Sequence, residues 1–446
     1  MRNRGFSNIR VVPPGPKARE ILRRDESVLM QSYVRWFPLV ISRGDGFIVE
    51  DVDGNRYIDF NAGIAVLSTG HRHPKVIEAV KTQLDRFIHY SLTDFYYELA
   101  VKYGDKLLKA VGIDGKLFYT NSGTESIEAA MKISKGFFGG SRNYFLAFIG
   151  GFHGRTLGSL SLTASKPIHR RFFFPMVPGA IHAPYPYCYR CPFKLEYPSC
   201  GIACLDYVKE WLLDKFLPGE ELAAAFIEPI AGEGGYIEAP KEFMEGLSRM
   251  LREYGALMVV DEVQSGFGRT GRLFGYMHSG VAPDIIASAK GIASGFPLGV
   301  VIGRKEVMSL PPGTHANTFG GNPVSLAAAD ATLDLILDGL MDNAARLGEY
   351  ILDRLREMMG RYEFIGDVRG KGLMIGVELV RDRDTKEPAP ELLDKVVVEC
   401  FKRGLLIIGA GRSVLRISPP LNITREAVDE ALDILEDVFR MVGKEL

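Results

Sequence analysis

The spacing of apolar positions changes character three times along the chain. Residues 46–60, GFIVEDVDGNRYIDF, alternate apolar and polar side chains around Asp53-Gly54-Asn55. That pattern predicts a β-hairpin closed by a tight turn. From about 75 to 330, short apolar runs alternate with helical periodicity. Lys116–Thr120, Tyr144–Ile149, Ala224–Ile227, Ala256–Val260, Asp284–Ser288 and Leu298–Ile302 read as strands, with helices such as Glu125–Phe137 and Lys241–Tyr254 between them. Such alternation predicts an α/β fold, a mostly parallel sheet covered by helices on both faces. Helical spacing then runs from Val324 to Met359. Strands at Gly372–Val380, Leu405–Ile408 and Val414–Ile417 follow, and a last helix at Arg425–Val442. The expected organisation is a large domain over 75–330 and a smaller α+β domain over 331–446. The segment 1–74 is expected to join the small domain.

Composition narrows the class. The 446 residues are 46% hydrophobic and 24% charged with a formal net charge of −1, so no global basic field attracts nucleic acid or an acidic membrane surface. No apolar run approaches the roughly 18 residues of a membrane span. The start, Met1-Arg2-Asn3-Arg4, is basic but lacks the apolar stretch of a secretory signal. A cytoplasmic enzyme is expected, without nucleic-acid or membrane partners. Many of the 49 glycines follow β-type runs, where a phosphate-binding α/β protein needs them.

Ligands of open parallel sheets bind outside the carboxyl ends of the strands, so the residues after each predicted strand form a test. They are Asn121-Ser122-Gly123-Thr124-Glu125, Gly150-Gly151-Phe152-His153-Gly154-Arg155, Glu228-Pro229, Asp261-Glu262-Val263-Gln264 and Ala289-Lys290-Gly291. Five segments bring chemically useful side chains to one sheet edge. Asn121–Thr124 opens a helix and suits a phosphate, although an ordinary N-cap explains the same residues. Asp261 closes an apolar strand, where a carboxylate needs a partner such as a pyridine nitrogen; a turn cap is the plain alternative. Lys290 follows a buried strand among small residues, where desolvation lowers an amine's pKa and frees it for imine formation. A lysine reaching out to solvent is the alternative there.

These residues resemble the class III, or ω-amino-acid, pyridoxal-phosphate aminotransferases, with members acting on 4-aminobutyrate, ornithine and acetylornithine. The resemblance spans nearly the whole chain, including DVDGNRYIDFNAGIAV, TNSGTESIEAAMK, GGFHGRT, VVDEVQSGFGRTG, SAKGIASGFPLG, TFGGNP and LRISPPLNIT. It implies a fold-type-I transferase with a seven-stranded type of sheet and pyridoxal 5'-phosphate as cofactor. Lys290 would hold the cofactor as a Schiff base and Asp261 would pair with the ring nitrogen. Ser122, Gly123 and Thr124 would bind the phosphate, Phe152 and Val263 would flank the ring, and Gln264 would meet its phenolic oxygen. His153 and Glu228 belong to the same cofactor site. Thr318 would reach the phosphate of the neighbouring subunit's cofactor, which implies a homodimer or dimer of dimers. Arg416, with Arg155 and Ile64, would bind substrate, and Glu233 would gate Arg416 by pairing with it.

The resemblance implies transamination from an ω-amino acid or a broad range of amino acids to a 2-oxo acid such as 2-oxoglutarate. Amino-acid racemisation or epimerisation, known in the same fold family, is the alternative, because both outcomes use the same lysine and electron sink. A non-catalytic carrier of the cofactor would have lost Lys290 or Asp261; both are present. One motif stands apart. Cys188, Cys191, Cys200 and Cys204 crowd one Pro- and Tyr-rich segment. Their spacing suits a four-thiolate metal site, two disulfides or plain reduced thiols, none of them part of the chemistry.

Overall fold

The computed structural model describes residues 5–445; the basic start Met1–Arg4, read above for a signal, lies outside the described residues. Its centre is a seven-stranded sheet. In spatial order the strands are Gly115–Thr120, Gly299–Arg304, Ile285–Ser288, Leu257–Asp261, Leu222–Ile227, Tyr144–Ile149 and Ala180–Pro184. Four of the neighbouring pairs are parallel, and only Gly299–Arg304 runs against its neighbours. The central strands are buried on both faces, as their unbroken apolar runs require. Val259, Ile285 and Val301 enter one apolar cluster, while Met258, Val260, Ile286 and Val300 enter another. Successive side chains thus feed opposite layers. Each buried aliphatic side chain contributes about 1.5–3 kcal/mol, which makes the sheet a firm platform for the loops at its edge.

The smaller α+β domain is an antiparallel sheet of Ile365–Lys371, Met374–Asp382, Val414–Ile417 and Ile408–Ala410. Helices Met341–Arg361, Pro390–Lys402 and Arg425–Val442 accompany it. The N-terminal hairpin forms from Ile48–Asp51 and Arg56–Asp59, with Gly54 at φ 85° in its turn. Ile58 and Asp59 pair in parallel with Leu405 and Leu406. The first and last parts of the chain therefore share a sheet.

Three differences from the sequence pattern have physical causes. Ala180–Pro184 is an edge strand in parallel pairing with Phe145–Ile149; its terminal proline and partial burial hide it from a periodicity argument. Ile365–Lys371 is a strand despite two glycines and three charges, because its register with Met374–Leu379 supplies the pairing. The helical run after Val324 is interrupted at Ile336–Leu340, where Gly339 takes φ 112°.

Candidate active site

All the strand-end segments singled out above meet at one edge of the large sheet. They surround a cavity of about 420 Å³. The antiparallel Gly299–Arg304 strand starts at this same edge, so Gly295–Leu298 line the cavity too. Sequence reasoning gave these no role, although the SGFPLG run contains them.

Asp261 is buried at the end of its strand. Its Oδ1 accepts the Val263 N–H at 3.0 Å, and its Oδ2 lies 2.8 Å from His153 Nδ1. Burial works against a charged imidazole, but Asp261 outweighs it, so His153 titrates above its ordinary value. His153 therefore fixes the orientation of the Asp261 carboxyl group. Glu228, also buried, accepts the Phe152 N–H at 2.8 Å and the Gly232 N–H at 2.9 Å. Burial and the nearby Asp261 charge push its carboxyl upward. Glu228 lines the cavity and ties two of its loops together.

Lys290 follows the Ile285–Ser288 strand and takes φ 42°, a left-handed conformation that a lysine adopts only under constraint. Its side chain lines the cavity. Burial lowers its amine from the ordinary value, against the opposing pull of Glu233 and Asp261. A larger fraction is thus neutral near pH 7 than for a surface lysine.

The helix Gly123–Phe137 points its N-terminus at the cavity. Ser122 caps it by accepting the Glu125 N–H at 3.4 Å. The Thr124 hydroxyl meets Ser159 and Thr156 hydroxyls at 2.6 and 2.8 Å. A Cβ on Gly123 would lie 2.7 Å from Val263 Cγ1, so only glycine lets the phosphate-type cradle approach Val263. Phe152 and Val263 both line the cavity, and Gln264 Oε1 is buried without a hydrogen-bond partner among the described residues. The Arg155 guanidinium sits 5.6 Å from the Phe152 ring centroid.

Beside the cavity, Arg416 Nη1 donates to Glu233 Oε1 at 2.6 Å. Both act electrostatically on Lys290. Arg416 is buried, and its Nε has no hydrogen-bond partner among the described residues. Glu233 holds Arg416 above its usual range, and Arg416 holds Glu233 below its own, each against the opposing effect of burial.

Two expected residues stand elsewhere. Ile64 does not line the cavity and is 46% exposed. Ala62, Gly63, Ile64 and Ala65 all take positive φ, from 48° to 69°, and this left-handed turn presents Val66 to the cavity in place of Ile64. Thr318 is exposed and outside the cavity of its own chain. Cys188, Cys191, Cys200 and Cys204 are free thiols around a separate small apolar pocket. Among the described residues, no three His, Cys, Asp or Glu side chains are arranged to hold a metal ion.

The family model described as aminotransferase class-III matches residues 29–439. The chain belongs to the class-III aminotransferase family. This class-III enzyme is 42% identical to the alanine/serine racemase of Pyrococcus horikoshii, over 98% of its own length and 94% of that protein. It is 39% identical to the isoleucine 2-epimerase of Lentilactobacillus buchneri, over 96% and 95% of the two chains. Against the 4-aminobutyrate aminotransferase of Mycobacterium leprae the identity is 37%, over 96% of each. A Bacillus anthracis aminotransferase has the same fold, with TM-score 0.89 and 31% identity over 95% of this chain and 99% of that one. Pyridoxal phosphate is the cofactor of this class-III enzyme, and the site suits it. It offers a helix N-terminus with a glycine cradle, a ring slot beside Phe152 and Val263, a buried aspartate and a depressed lysine amine. No helix is long and apolar enough to cross a membrane among the described residues.

Proposed function

We propose that this enzyme is an amino-acid racemase or epimerase, rather than the transaminase that its motifs first imply. The observation that supports this reading is the order of similarity. The racemase and epimerase relatives share 42% and 39% of residues over nearly full length, the 4-aminobutyrate aminotransferase 37%.

When bound, the cofactor supplies an electrophilic aldehyde and an electron-withdrawing ring. The chain supplies the rest. The Ser122–Thr124 helix start holds the phosphate, and Asp261, backed by His153, holds the proton on the ring nitrogen. Lys290, with its lowered amine, takes the proton from one face of the substrate Cα, and a proton from solvent delivered to the opposite face completes the inversion. Arg416 takes the substrate carboxylate bidentately through its free Nε and its Nη groups. Thr318 serves the site of a second copy, so the working unit is a homodimer.

Transamination remains the second reading, and the Glu233–Arg416 pair favours it. A carboxylate that covers or uncovers an arginine lets one pocket alternate between two substrates. The deciding experiment incubates holoenzyme with single L-amino acids in the absence of any 2-oxo acid. Chiral analysis should find D-amino acid accumulating, with Cα–H exchanged for solvent deuterium. Product appearing only when 2-oxoglutarate is added would return the assignment to transamination.

A further inference from the structure

Glu233 sits on a loop, residues 232–236, anchored at its far end by the fully buried Tyr236, which packs with Ile230 and Met374. Gly234 and Gly235 follow the carboxylate directly, and Gly235 takes φ 128°, where an L side chain is strained. A Cβ on Gly234 would lie 2.6 Å from the Gly150 carbonyl oxygen. The glycine stretch between Glu233 and Tyr236 is also held from the small domain, by Arg369 on the Ile365–Lys371 strand. Arg369 Nη2 donates to the Gly235 carbonyl at 2.6 Å, and its Nε donates to the Tyr236 carbonyl at 3.1 Å. The guanidinium is fixed in turn by Asp367 and Glu378, each at 2.7 Å. Glu378 is fully buried and also takes Arg190 and the Tyr187 hydroxyl. Burial works against the Glu378 carboxylate, but Arg369 and Arg190 outweigh it and hold it below the usual range.

None of the Arg369 bonds reaches the cavity. They go to the Gly235 and Tyr236 carbonyls, to the Asp367 and Glu378 carboxylates that fix the arginine, and to the Tyr187 hydroxyl at 3.5 Å. The Glu233 carbonyl is tied to the same domain, accepting the Gly411 N–H at 2.9 Å. We propose that Arg369 is a positioning residue for the Glu233–Arg416 pair, fixing residues 235 and 236 so that the Glu233 carboxylate stays over Arg416. It thereby sets how tightly the site takes a substrate carboxylate. An entering carboxylate competes with Glu233 for Arg416, and a loosely held Glu233 is the weaker competitor. The inference rests on reading Arg416 as the carboxylate site, and not on the stereochemical outcome of the reaction.

Propionate tests it without turnover, because it carries a carboxylate and no amino group. Its dissociation constant from the holoenzyme is read from the cofactor absorbance and by calorimetry. Arg369→Lys keeps the charge facing Glu378 and Asp367 but cannot span both carbonyls. It should tighten propionate by about five- to tenfold. Glu233→Gln should tighten it at least as much. The double variant should match Glu233→Gln within about twofold, since Arg369 acts only through Glu233. Glu378→Gln, which leaves Arg369 in place but removes its buried counter-charge, should shift affinity in the same direction, and it decides the matter if Arg369→Lys does not fold. An unchanged constant in a folded Arg369→Lys protein overturns the proposal, as does an equal factor in the Glu233→Gln background. Arg416→Ala separates the two levels. If propionate binding ignores Arg416, the carboxylate reading itself falls; if it needs Arg416 but ignores Arg369, only this inference falls.

Discussion

Lys290 combines a left-handed backbone with an amine lowered by burial. Strain of this kind costs about 1–3 kcal/mol and is tolerated where surroundings enforce it. Here the next residue is a glycine whose Cβ would press on the Ser68 Oγ at 2.6 Å, so residues 66–69 and the lysine turn lock together. Lys290→Ala should therefore lose the visible absorbance of lysine-bound cofactor and nearly all turnover, and a variant with normal activity would sink the assignment. Glu262, next to Asp261, makes a different kind of prediction. It is fully buried and accepts the Ser265 hydroxyl and the Gly275 and Tyr276 N–H groups. Burial pushes its carboxyl from 4.5 up to about 7. Because the folded value lies above the unfolded one, the native state keeps the proton longer. Its contribution to stability is full below about pH 4.5 and is lost as pH rises to about 7, a change of about 3 kcal/mol. Glu262→Gln should flatten that part of the pH–stability curve in urea unfolding. Parallel curves for the two proteins would place the pH dependence elsewhere.

At the scale of elements, the strand-and-loop alternation is what made the site legible. Asp261, Lys290 and Ser122–Thr124 could be found because each lies just beyond a strand that apolar runs mark plainly. The helix Gly123–Phe137 begins where a small-polar turn meets helical periodicity, and its Ser122 cap follows from the same residues. Its first residue yields a prediction: Gly123→Ala places a methyl against Val263 and should weaken cofactor binding by about tenfold or more, with the fold intact. Titration of apoenzyme with pyridoxal phosphate measures this, and unchanged affinity would mean that Val263 moves aside freely. What stayed hidden was set by tertiary pairing. Val66 faces the cavity because four successive residues turn left-handed, a conformation no periodicity announces. Arg369 looks like any charged strand residue until the Ile365–Lys371 strand is placed beside the 232–236 loop. The Ala180–Pro184 strand becomes a strand only through its neighbour.

For the molecule as a whole, the family and cofactor follow from motifs over the full chain, but the reaction's outcome does not, because one lysine and one electron sink serve both. The two domains meet at the feature that can separate the outcomes: Glu233 from the large domain faces Arg416 on the small one. Removing Arg416 leaves Glu233 without its counter-charge and the substrate without its anchor, which should cost about 2–5 kcal/mol in transition-state binding. In a racemase the two directions cross the same barriers in opposite order, and the ratio of their kcat/KM values is tied to an equilibrium constant of one. Arg416→Ala must then slow L-to-D and D-to-L conversion by the same factor. In an aminotransferase the two half-reactions use different substrates, and Arg416 meets an α-carboxylate in one while Glu233 covers it in the other. The loss should then fall mainly on the half-reaction with the 2-oxo acid. Stopped-flow recording of the cofactor spectrum distinguishes the two, in wild type and variant, with an L-amino acid and its D-isomer added to the pyridoxal form and 2-oxoglutarate added to enzyme loaded with pyridoxamine phosphate. Equal losses with both enantiomers and no response to 2-oxoglutarate in either protein are the expected result. A selective loss with 2-oxoglutarate would assign the domain-spanning pair to substrate exchange and the enzyme to transamination.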